Sequence, residues 1–318
     1  MILNMKTILI GLCTYKRPKM LADCLAGITA LSLPIGVQVH LVVVDNDITP
    51  GLVTETEKNM DGLLAPIHDA GILAVYVQEP LRGISYARNA VLNYSHKIKA
   101  DYIAFIDDDE IPDQNWLLEL YQMIDMHQCA GVQGVIYRRY PNGDLTITGR
   151  RRGELPNGHH LSPDDAVTTG NIIFSTKLIR DWGLKFHSQL GLSGGEDVDF
   201  FEQAQRKGGI FLLNKKAIVI ETVPLERITF GWRLLQEVNF GSYKVIKSQL
   251  EYGRFQTILK QTWRVIKMSN LFFYYLISTL WMGKKGFMKS LKLLARISGI
   301  LIALIGFPAN RYAKTTGF

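Results

Sequence analysis

The chain has 318 residues, of which 47% are hydrophobic, and a formal net charge of +7. This length allows one large folded domain or two smaller ones. Its three cysteines, Cys13, Cys24 and Cys129, form no CxxC pair, which argues against a disulfide framework and against a thiolate zinc site. The apolar run at residues 8–13 is too short for a signal peptide and predicts a buried strand, which favours a reducing, cytoplasmic compartment.

The first 110 residues alternate between strand and helix patterns. Strands are predicted at 6–14, 37–45, 74–80 and 101–107, and helices at 17–31, 48–67 and 85–98. This order predicts βαβ units and a parallel sheet, in which ligands bind at the carboxyl ends of the strands. The segments CTYKRP, VDND and DDDE all lie at such ends.

The next part of the chain continues the alternation with a longer interruption. A long loop is predicted at 141–167, and a helix that opens with glycines and ends at Lys-Gly-Gly is predicted at 193–209. The remaining predictions are helices at 113–126 and 178–184 and strands at 130–140, 168–176, 210–214 and 217–224.

The positive charge is concentrated in the C-terminal third. Residues 221–318 carry 15 basic and 4 acidic side chains, whereas residues 1–220 carry 21 and 25. A basic amphipathic stretch at 227–267 precedes two uncharged apolar stretches, 268–283 and 297–310, each shorter than the roughly 20 residues that span a bilayer. Aromatic and basic residues around short apolar runs are typical of helices in the membrane interface or of a shallow hairpin.

These patterns predict two regions, a folded domain at 1–225 and a basic, apolar, helical, membrane-associating region at 226–318. The alternative for the second region is a helical subdomain that covers the sheet. It is also compatible with a dimer interface, and hence with a homo-oligomer.

Four adjacent acids follow the fourth predicted strand: Asp107, Asp108, Asp109 and Glu110. Crowded carboxylates repel one another, so water, a helix N-terminus, a basic partner or a metal must compensate them. Mg²⁺ and Mn²⁺ take oxygen ligands and often bind substrate phosphates, so two of these carboxylates could hold such a metal against a diphosphate. A solvated acidic turn before the helix at 113 is an equally good explanation of this stretch alone.

Two other strand ends carry candidate binding residues. Thr14 and Tyr15 could meet a nucleobase, or could simply end a strand before a helix that starts with Pro. Asp45 and Asp47 could accept hydrogen bonds from a base or a ribose, or could form an Asx turn.

Helix starts and turns supply further candidates. Arg88, near the start of a helix, suits a phosphate but could also face solvent. Glu196 and Asp197 could take a proton from a hydroxyl group or could cap their helix. Asn171, in the segment TTGNIIFS, is equally consistent with a simple turn.

Taken in order, CTYKRP, VVVDND, GISYARNA, AFIDDDE, TGN and GGEDVDFF resemble the motifs of a family 2 glycosyltransferase with the GT-A fold. The resemblance extends from about residue 6 to about residue 232, and within the family it is greatest to bacterial exopolysaccharide repeating-unit glucosyltransferases of the succinoglycan type. It implies a Rossmann-like, mostly parallel sheet flanked by helices. It also implies an inverting, metal-dependent transferase of the EC 2.4 class that uses a nucleotide sugar, most often a UDP-hexose, with Mg²⁺ or Mn²⁺.

The resemblance also implies roles for individual residues. The DDD run matches the DxD motif, so Asp107 and Asp109 are expected to bind the metal and Asp108 to lie near the ribose or sugar. Asp197 is expected to be the general base and Glu196 to orient the acceptor. The other positions expected to bind the donor are Thr14, Tyr15, Arg17, Asp45, Arg88 and Asn171.

Two departures from the family pattern concern the acceptor and the metal. Leu192 and Ser193 stand where the family often has an aromatic residue before the GGED glycines, which leaves acceptor stacking open. Many metal-dependent members supply a late His ligand, whereas this chain has Glu221 in the corresponding region. Glu221 could serve as an oxygen ligand there, as could water.

The resemblance implies a lipid-diphosphate-linked saccharide acceptor in the synthesis of exopolysaccharide, capsule or lipopolysaccharide. The protein would then bind peripherally or monotopically to anionic lipid at the cytoplasmic face of the bacterial inner membrane. Nucleic acid is not expected as a partner, because long apolar runs interrupt the basic residues of the tail. An inactive transferase-like membrane scaffold and a nucleotidyltransferase are the alternatives, although CTYKRP lacks the glycine-rich loop usual in the latter.

Overall fold

The computed structural model describes residues 5–47, 55–148 and 153–309. The chain divides into two compact units. Of the described residues, the first comprises those up to His187 together with Asp197–Pro224, and the second comprises Ser188–Glu196 together with those from Leu225 to residue 309. The predicted boundary at 225/226 lies beside this division, but the short segment Ser188–Glu196 was not predicted to leave the first region.

The first unit contains all the strands of the described residues. They are β1 Lys6–Thr14, β2 Val37–Asp45, β3 Leu73–Gln78, β4 Tyr102–Asp107, β5 Glu110–Pro112, β6 Gly131–Arg139, β7 Leu145–Ile147, β8 Ile172–Ser175 and β9 Phe211–Thr222. They form one sheet in the order β3-β2-β1-β4-β8-β6-β9-β5, with β7 paired to β6. The helices up to Arg206 are α1 Pro18–Thr29, α2 Glu55–Asp69, α3 Ile84–Lys97, α4 Trp116–His127, α5 Lys177–Arg180 and α6 Glu196–Arg206.

The sheet is parallel where the sequence analysis predicted it to be. Strands β3, β2, β1 and β4 run parallel, and β8 joins β4 antiparallel. Thr14 stands opposite Asp45 in the register of β1 and β2, and Cys13 stands opposite Asp107 of β4. The predicted α/β class with a parallel-rich sheet is confirmed, and the register brings the polar strand ends to one edge.

Both faces of β1 are apolar because each faces its own hydrophobic core. Ile8 and Ile10 belong to the core that includes Leu21 of α1, whereas Leu9 belongs to the core that includes Val91 of α3. A side chain at Gly11 would collide with Val91, so α3 can lie against the sheet only because this position has no Cβ.

The second unit is helical in its described part. Its helices are α7 Phe230–Ile277, α8 Thr279–Met282 and α9 Lys284–Leu304. Helix α7 is broken at Gly253, whose φ of 75° and ψ of 173° lie outside the helical region. A Cβ at Gly241 would overlap the carbonyl oxygen of Arg296, and a Cβ at Gly299 would overlap that of Val238, so α7 and α9 cross in direct backbone contact.

The apolar stretches predicted at 268–283 and 297–310 are not separate elements, because α7 continues to Ile277 and α9 already starts at Lys284. Within residues 5–47, 55–148 and 153–309, every helix is too short or too polar to cross a bilayer.

Three other differences concern short or interrupted strands. The predicted loop at 141–167 contains β7 and a 3₁₀ turn at Pro163–Asp165, and the two pieces predicted at 210–214 and 217–224 form the single strand β9. Strand β5 was not predicted, since Glu110–Pro112 is too short to show an alternating pattern and is defined only by its pairing with β9.

Candidate active site

The strand-end acids have a basic partner and a hydroxyl partner from the β1–α1 turn. Asp108 is buried and accepts hydrogen bonds from Thr14 Oγ1 and Arg17 Nη1, both at 2.9 Å. Arg17 Nη1 also lies 3.3 Å from Asp109 Oδ2. Burial raises the pKa of Asp108 to about 6, although Arg17 and Thr14 favour its ionised form. Thr14, Arg17 and Asp108 therefore form one hydrogen-bonded group.

Asp107 ends β4 with a partly open side chain and a different cation. Its side chain is 43% exposed, and its Oδ1 lies 3.4 Å from Nη2 of the buried Arg88. Partial desolvation by the surrounding segments raises the pKa of Asp107, Arg88 opposes this, and the charges of Asp109, Asp197 and Glu221 raise it further. The charges of Asp107, Asp109, Asp197 and Glu221 therefore influence one another. Because Asp197 lies in the first turn of α6, this turn lies near the end of β4.

Glu110 differs from the three aspartates before it. It is buried, and its Oε2 accepts a hydrogen bond from the backbone N–H of Asp107 at 3.0 Å. Burial and the charge of Asp107 hold the pKa of Glu110 well above its usual value. Its Oε1 would lie 2.9 Å from a Cβ at Gly170, so the glycine leaves room for this carboxyl group. Glu110 therefore supports the turn that carries the aspartates.

Glu221, the residue considered as a late oxygen ligand, lies opposite Glu110 in the pairing of β5 with β9. It accepts a hydrogen bond at 2.8 Å from Nε of Arg138, which comes from β6. Burial lowers the pKa of Arg138, but Glu221 outweighs this and raises it. Sequence reasoning missed Arg138, and its only signal was the YRR run at the end of a predicted strand.

The end of β2 faces a second group of polar side chains. Asp45 is fully buried, and its oxygens accept hydrogen bonds from the Tyr76 hydroxyl and the Asp47 backbone N–H, both at 2.8 Å. Tyr15 is partly exposed, and the Arg82 guanidinium lies 5.6 Å from its ring centroid. Tyr15 and Arg82 together present an aromatic surface and a cation at this edge.

Asn46 was not singled out in the sequence analysis, yet it organises the loop after β3. Its Nδ2 donates to the carbonyl oxygens of Glu79 and Leu81 at 2.9 and 2.8 Å, and its Oδ1 accepts from the Gly83 N–H at 2.7 Å. Gly83 immediately precedes α3, the helix that carries Arg88. Asn46 thereby connects the end of β2 to the start of α3.

We expect Asn46→Ala to destabilise this loop by about 2 kcal/mol, because it leaves three buried or partly buried backbone groups without their partner. Hydrogen exchange at the Gly83 amide should become faster, and the denaturant midpoint should fall. Asn142→Ala is the control, since Asn142 is exposed and bonds only within its own turn to Asp144. Unchanged exchange at Gly83 would show that Asn46 does not hold the loop.

The structure places Asn171 away from the open part of the site. It is fully buried; its Nδ2 donates to the carbonyl oxygens of Val135 and Ala217, and its Oδ1 accepts from Trp116 Nε1, all at 2.8 Å. Its φ of 62° lies in the left-handed region, and Asn171 immediately precedes β8. Asn171 therefore connects strands and α4 in the core, and we leave it out of the proposed donor site.

Asp197 and Glu196 lie in the first turn of α6, after Gly194 and Gly195, whose φ values of 82° and 87° suit glycine. Asp197 is partly exposed and its Oδ1 accepts from the Val198 N–H at 2.8 Å, whereas Glu196 is buried. The GG pair therefore shapes the turn that starts the helix.

A second carboxylate of α6 forms a pair that sequence reasoning also missed. Asp199 Oδ2 lies 2.7 Å from His187 Nδ1 and accepts from Gln203 Nε2 at 2.9 Å. The carbonyl oxygen of His187 in turn accepts from Ser85 Oγ at 2.9 Å, which connects this segment to α3.

The described residues contain no group of three or more His, Cys, Asp and Glu side chains arranged to hold a metal ion by themselves. Arg150, Arg151 and Arg152, which in the predicted loop could reach a diphosphate or simply face solvent, lie outside the described residues.

Two comparisons of sequence found proteins to which this chain is similar. The model of the family described as glycosyl transferase family 2 matches residues 9–186. The succinoglycan biosynthesis protein ExoM of Rhizobium meliloti (strain 1021) is 30% identical over 260 residues, which cover 80% of this chain and 78% of that protein.

Solved structures with low sequence identity share the fold. S. aureus TarS 1–349 in complex with UDP has a TM-score of 0.53 and 15% identity, over 94% of this chain and 92% of that chain. Its complex with UDP-GlcNAc has a TM-score of 0.52 and 14% identity, over 99% of both chains. Against a longer S. aureus TarS structure, the match spans 44% of that chain and 79% of this one.

Proposed function

Because the chain belongs to glycosyl transferase family 2, we propose that it transfers a hexose from a nucleotide sugar to a hydroxyl group of a saccharide, with inversion at the anomeric carbon. The observation that supports this most strongly is the shared field of Asp107, Asp109 and Asp197, three carboxylates that come from two distant segments. A carboxylate with a raised pKa, such as Asp107, beside other carboxylates at the end of parallel strands is typical of functional sites.

The nucleoside part of the donor is proposed to bind at the ends of β1 and β2. Tyr15 offers a ring for stacking, and Arg82 beside it offers a charge for the phosphates. Asp45 supports this edge through Tyr76 and Asp47. UDP is the first nucleotide to test, because the structurally similar TarS has been solved with UDP and with UDP-GlcNAc.

The diphosphate is proposed to lie over the aspartates. The partly exposed Asp107 and its neighbour Asp109 offer carboxylate oxygens, which are suitable ligands for Mg²⁺ or Mn²⁺. The remaining ligands would be oxygens of the diphosphate and of water. The cation, when bound, supplies stabilisation of the negative charge that develops on the departing diphosphate. Arg88 could move its hydrogen bond from Asp107 to a phosphate oxygen, and the Thr14–Arg17–Asp108 group fixes the turn beside the ribose.

Asp197 is proposed to act as the general base. Its carboxylate takes the proton of an acceptor hydroxyl as the hydroxyl oxygen forms a bond to the anomeric carbon. The bond from that carbon to the diphosphate oxygen breaks on the opposite face, and the electron pair leaves with the nucleoside diphosphate. Glu196 is proposed to orient the acceptor.

The acceptor is proposed to be a lipid-diphosphate-linked saccharide of surface polysaccharide synthesis, as the likeness to ExoM suggests. The second unit exposes many large apolar side chains, including Phe255 at 74%, Trp263 at 60%, Leu280 at 87% and Trp281 at 65%, and exposed apolar surface of this kind marks interaction sites. Their alternation with lysines favours peripheral binding to anionic lipid at the cytoplasmic face of the inner membrane. A homo-oligomer formed through this surface is the alternative.

Calorimetric titration of the full chain with UDP tests the proposed donor site. We expect UDP to bind with Mn²⁺ present and to bind at least about tenfold more weakly with EDTA, because the cation connects the diphosphate to the aspartates. Binding that EDTA leaves unchanged would remove the metal from the proposal. GDP, ADP, CDP and dTDP are the comparisons, and a chain that binds none of these nucleotides with or without Mn²⁺ would contradict the transferase proposal.

A further inference from the structure

The segment formed by Phe186 and His187 contacts helix α3 through three hydrogen bonds. The Phe186 backbone N–H donates to Asn89 Oδ1 at 3.0 Å, and Asn89 Nδ2 donates to the Phe186 carbonyl oxygen at 2.9 Å. The carbonyl oxygen of His187 accepts from Ser85 Oγ at 2.9 Å, and Ser85 is fully buried. Because Ser85 and Asn89 lie one turn apart on α3, the backbone of this segment is fixed to the first half of that helix.

The side chains of the same segment contact helix α6. His187 Nδ1 lies 2.7 Å from Asp199 Oδ2, and because a carboxylate oxygen accepts, Nδ1 is the donor. Gln203 Nε2 donates to the same oxygen at 2.9 Å, and the Asp199 side chain is only 7% exposed. The Phe186 ring stacks on the Phe200 ring, with the two centroids 4.5 Å apart. The segment therefore connects α3 to α6.

The two helices connected in this way carry residues of the candidate active site. Arg88 of α3 lies 3.4 Å from Asp107, at the end of β4. Asp197 lies in the first turn of α6, two residues before Asp199. Residues two positions apart on a helix point to different sides. His187 therefore holds α6 on a side other than the one that carries Asp197, and it acts on Asp197 only through the helix.

The turn that precedes α6 does not fix the start of this helix by itself. It contains Gly194 and Gly195, both with positive φ, and glycine restricts the backbone less than any other residue. The hydrogen bond between His187 and Asp199 joins residues 12 positions apart and closes the stretch that contains both glycines. Without this bond, the first turn of α6 would be less constrained.

We propose that His187 is a positioning residue for the proton transfer, an inference that rests on the role of general base proposed above for Asp197. His187 is fixed to α3 by its backbone and holds Asp199 by its side chain. It thereby keeps the first turn of α6, with Asp197, at a set distance from the helix that carries Arg88. This constraint places the Asp197 carboxylate where an acceptor hydroxyl reaches it while the diphosphate lies beside Arg88.

The test measures kcat of the full chain from the rate of UDP release, with a UDP-hexose and a lipid-linked saccharide fraction, and the UDP affinity by calorimetry. We expect His187→Leu to lower kcat by at least about tenfold and to leave the UDP affinity within about twofold of the wild type, since a misplacement of about 1 Å can cost about 10²-fold in rate. His187→Asn should retain most of the rate, because its Nδ2 can donate to Asp199 from the position of Nδ1. His96→Leu is the matched control, at an exposed histidine in the last turn of α3, and should change kcat by less than about twofold.

A double variant separates positioning from a general loss of structure. In the Asp197→Asn background, His187→Leu should lower the remaining rate by less than about twofold, because the base through which it acts is already absent. A further loss of about tenfold in that background, or a loss of UDP affinity as large as the loss in kcat, would overturn the proposal. His187→Ala gives the same comparison if the larger apolar side chain prevents folding.

The same measurements distinguish this proposal from the proposed function on which it rests. If Asp197→Asn keeps the wild-type rate, the assignment of the general base is wrong. If Asp197→Asn is slow but His187→Leu is as fast as His96→Leu, only the role of His187 is wrong.

Discussion

Asp197→Asn should lower kcat by about 10²–10⁴-fold and leave the affinity for UDP close to that of the wild type, because a general base contributes to the transition state and not to donor binding. The amide keeps the size of the carboxylate, and its Oδ1 can still accept from the Val198 N–H. The measurement is the initial rate of UDP release from a UDP-hexose that the enzyme accepts, with a lipid-linked saccharide fraction as acceptor.

Glu202→Gln is the matched control for this variant. Glu202 lies in the same helix and pairs with Arg206 one turn later, so its substitution also removes one charge from α6. It should reduce the rate by less than about twofold, since exposed helix ion pairs contribute little. A rate for Asp197→Asn equal to that of Glu202→Gln would exclude Asp197 as the base.

Asp107→Asn should have opposite effects on binding and on stability. Loss of a residue that only supports a metal ligand costs about 10–100-fold in metal affinity, so loss of a direct ligand should weaken Mn²⁺-dependent UDP binding by at least about 100-fold. The fold should become more stable, because burial and the charges of Asp109, Asp197 and Glu221, which disfavour the ionised form of Asp107, together outweigh the charge of Arg88, which favours it. Because the pKa of Asp107 is raised in the folded state, its negative charge near neutral pH destabilises the folded state relative to the unfolded state. The neutral side chain of asparagine removes this destabilisation.

Calorimetry with UDP and Mn²⁺ measures the binding effect, and the unfolding temperature without metal measures the stability effect. Both can be measured on the same preparation of the protein. Asp113→Asn is the control, since Asp113 is exposed just beyond β5 and should change neither value appreciably. If Asp107→Asn lowers the unfolding temperature, the ion pair with Arg88 contributes more than the repulsion costs. If it retains metal-dependent UDP binding, Asp107 is not a ligand.

The helices and strands of the first unit could largely be predicted, because their patterns are local and long. Strands β1 and β2 were predicted with the bounds that the structure shows, 6–14 and 37–45, since each contains a continuous apolar run, at 8–13 and 41–44, and their parallel neighbours bury both faces. The polar residues that follow these strands were also predicted to converge, because parallel strands end at the same edge.

The partners of the site residues could not be predicted in the same way. That Asp108 bonds to Thr14 and Arg17, Asp107 to Arg88 and Glu221 to Arg138 depends on contacts between segments far apart in the sequence. The same applies to Asn46 and Asn171, whose side chains bond to backbone groups of other segments. Apolar residues that recur every two positions in a strand, or every 3.6 positions in a helix, show which face of that element is buried. They carry no information about which atom of a distant segment lies against a given side chain.

For the C-terminal third, the sequence alone determined the basic and apolar composition and the helical pattern, both of which are properties of neighbouring residues. Only the tertiary structure decided the break at Gly253 and the backbone contact at Gly241 and Gly299. The reason is physical: a glycine permits a close approach or a left-handed turn, but the packing of the surrounding helices determines whether it is used for either.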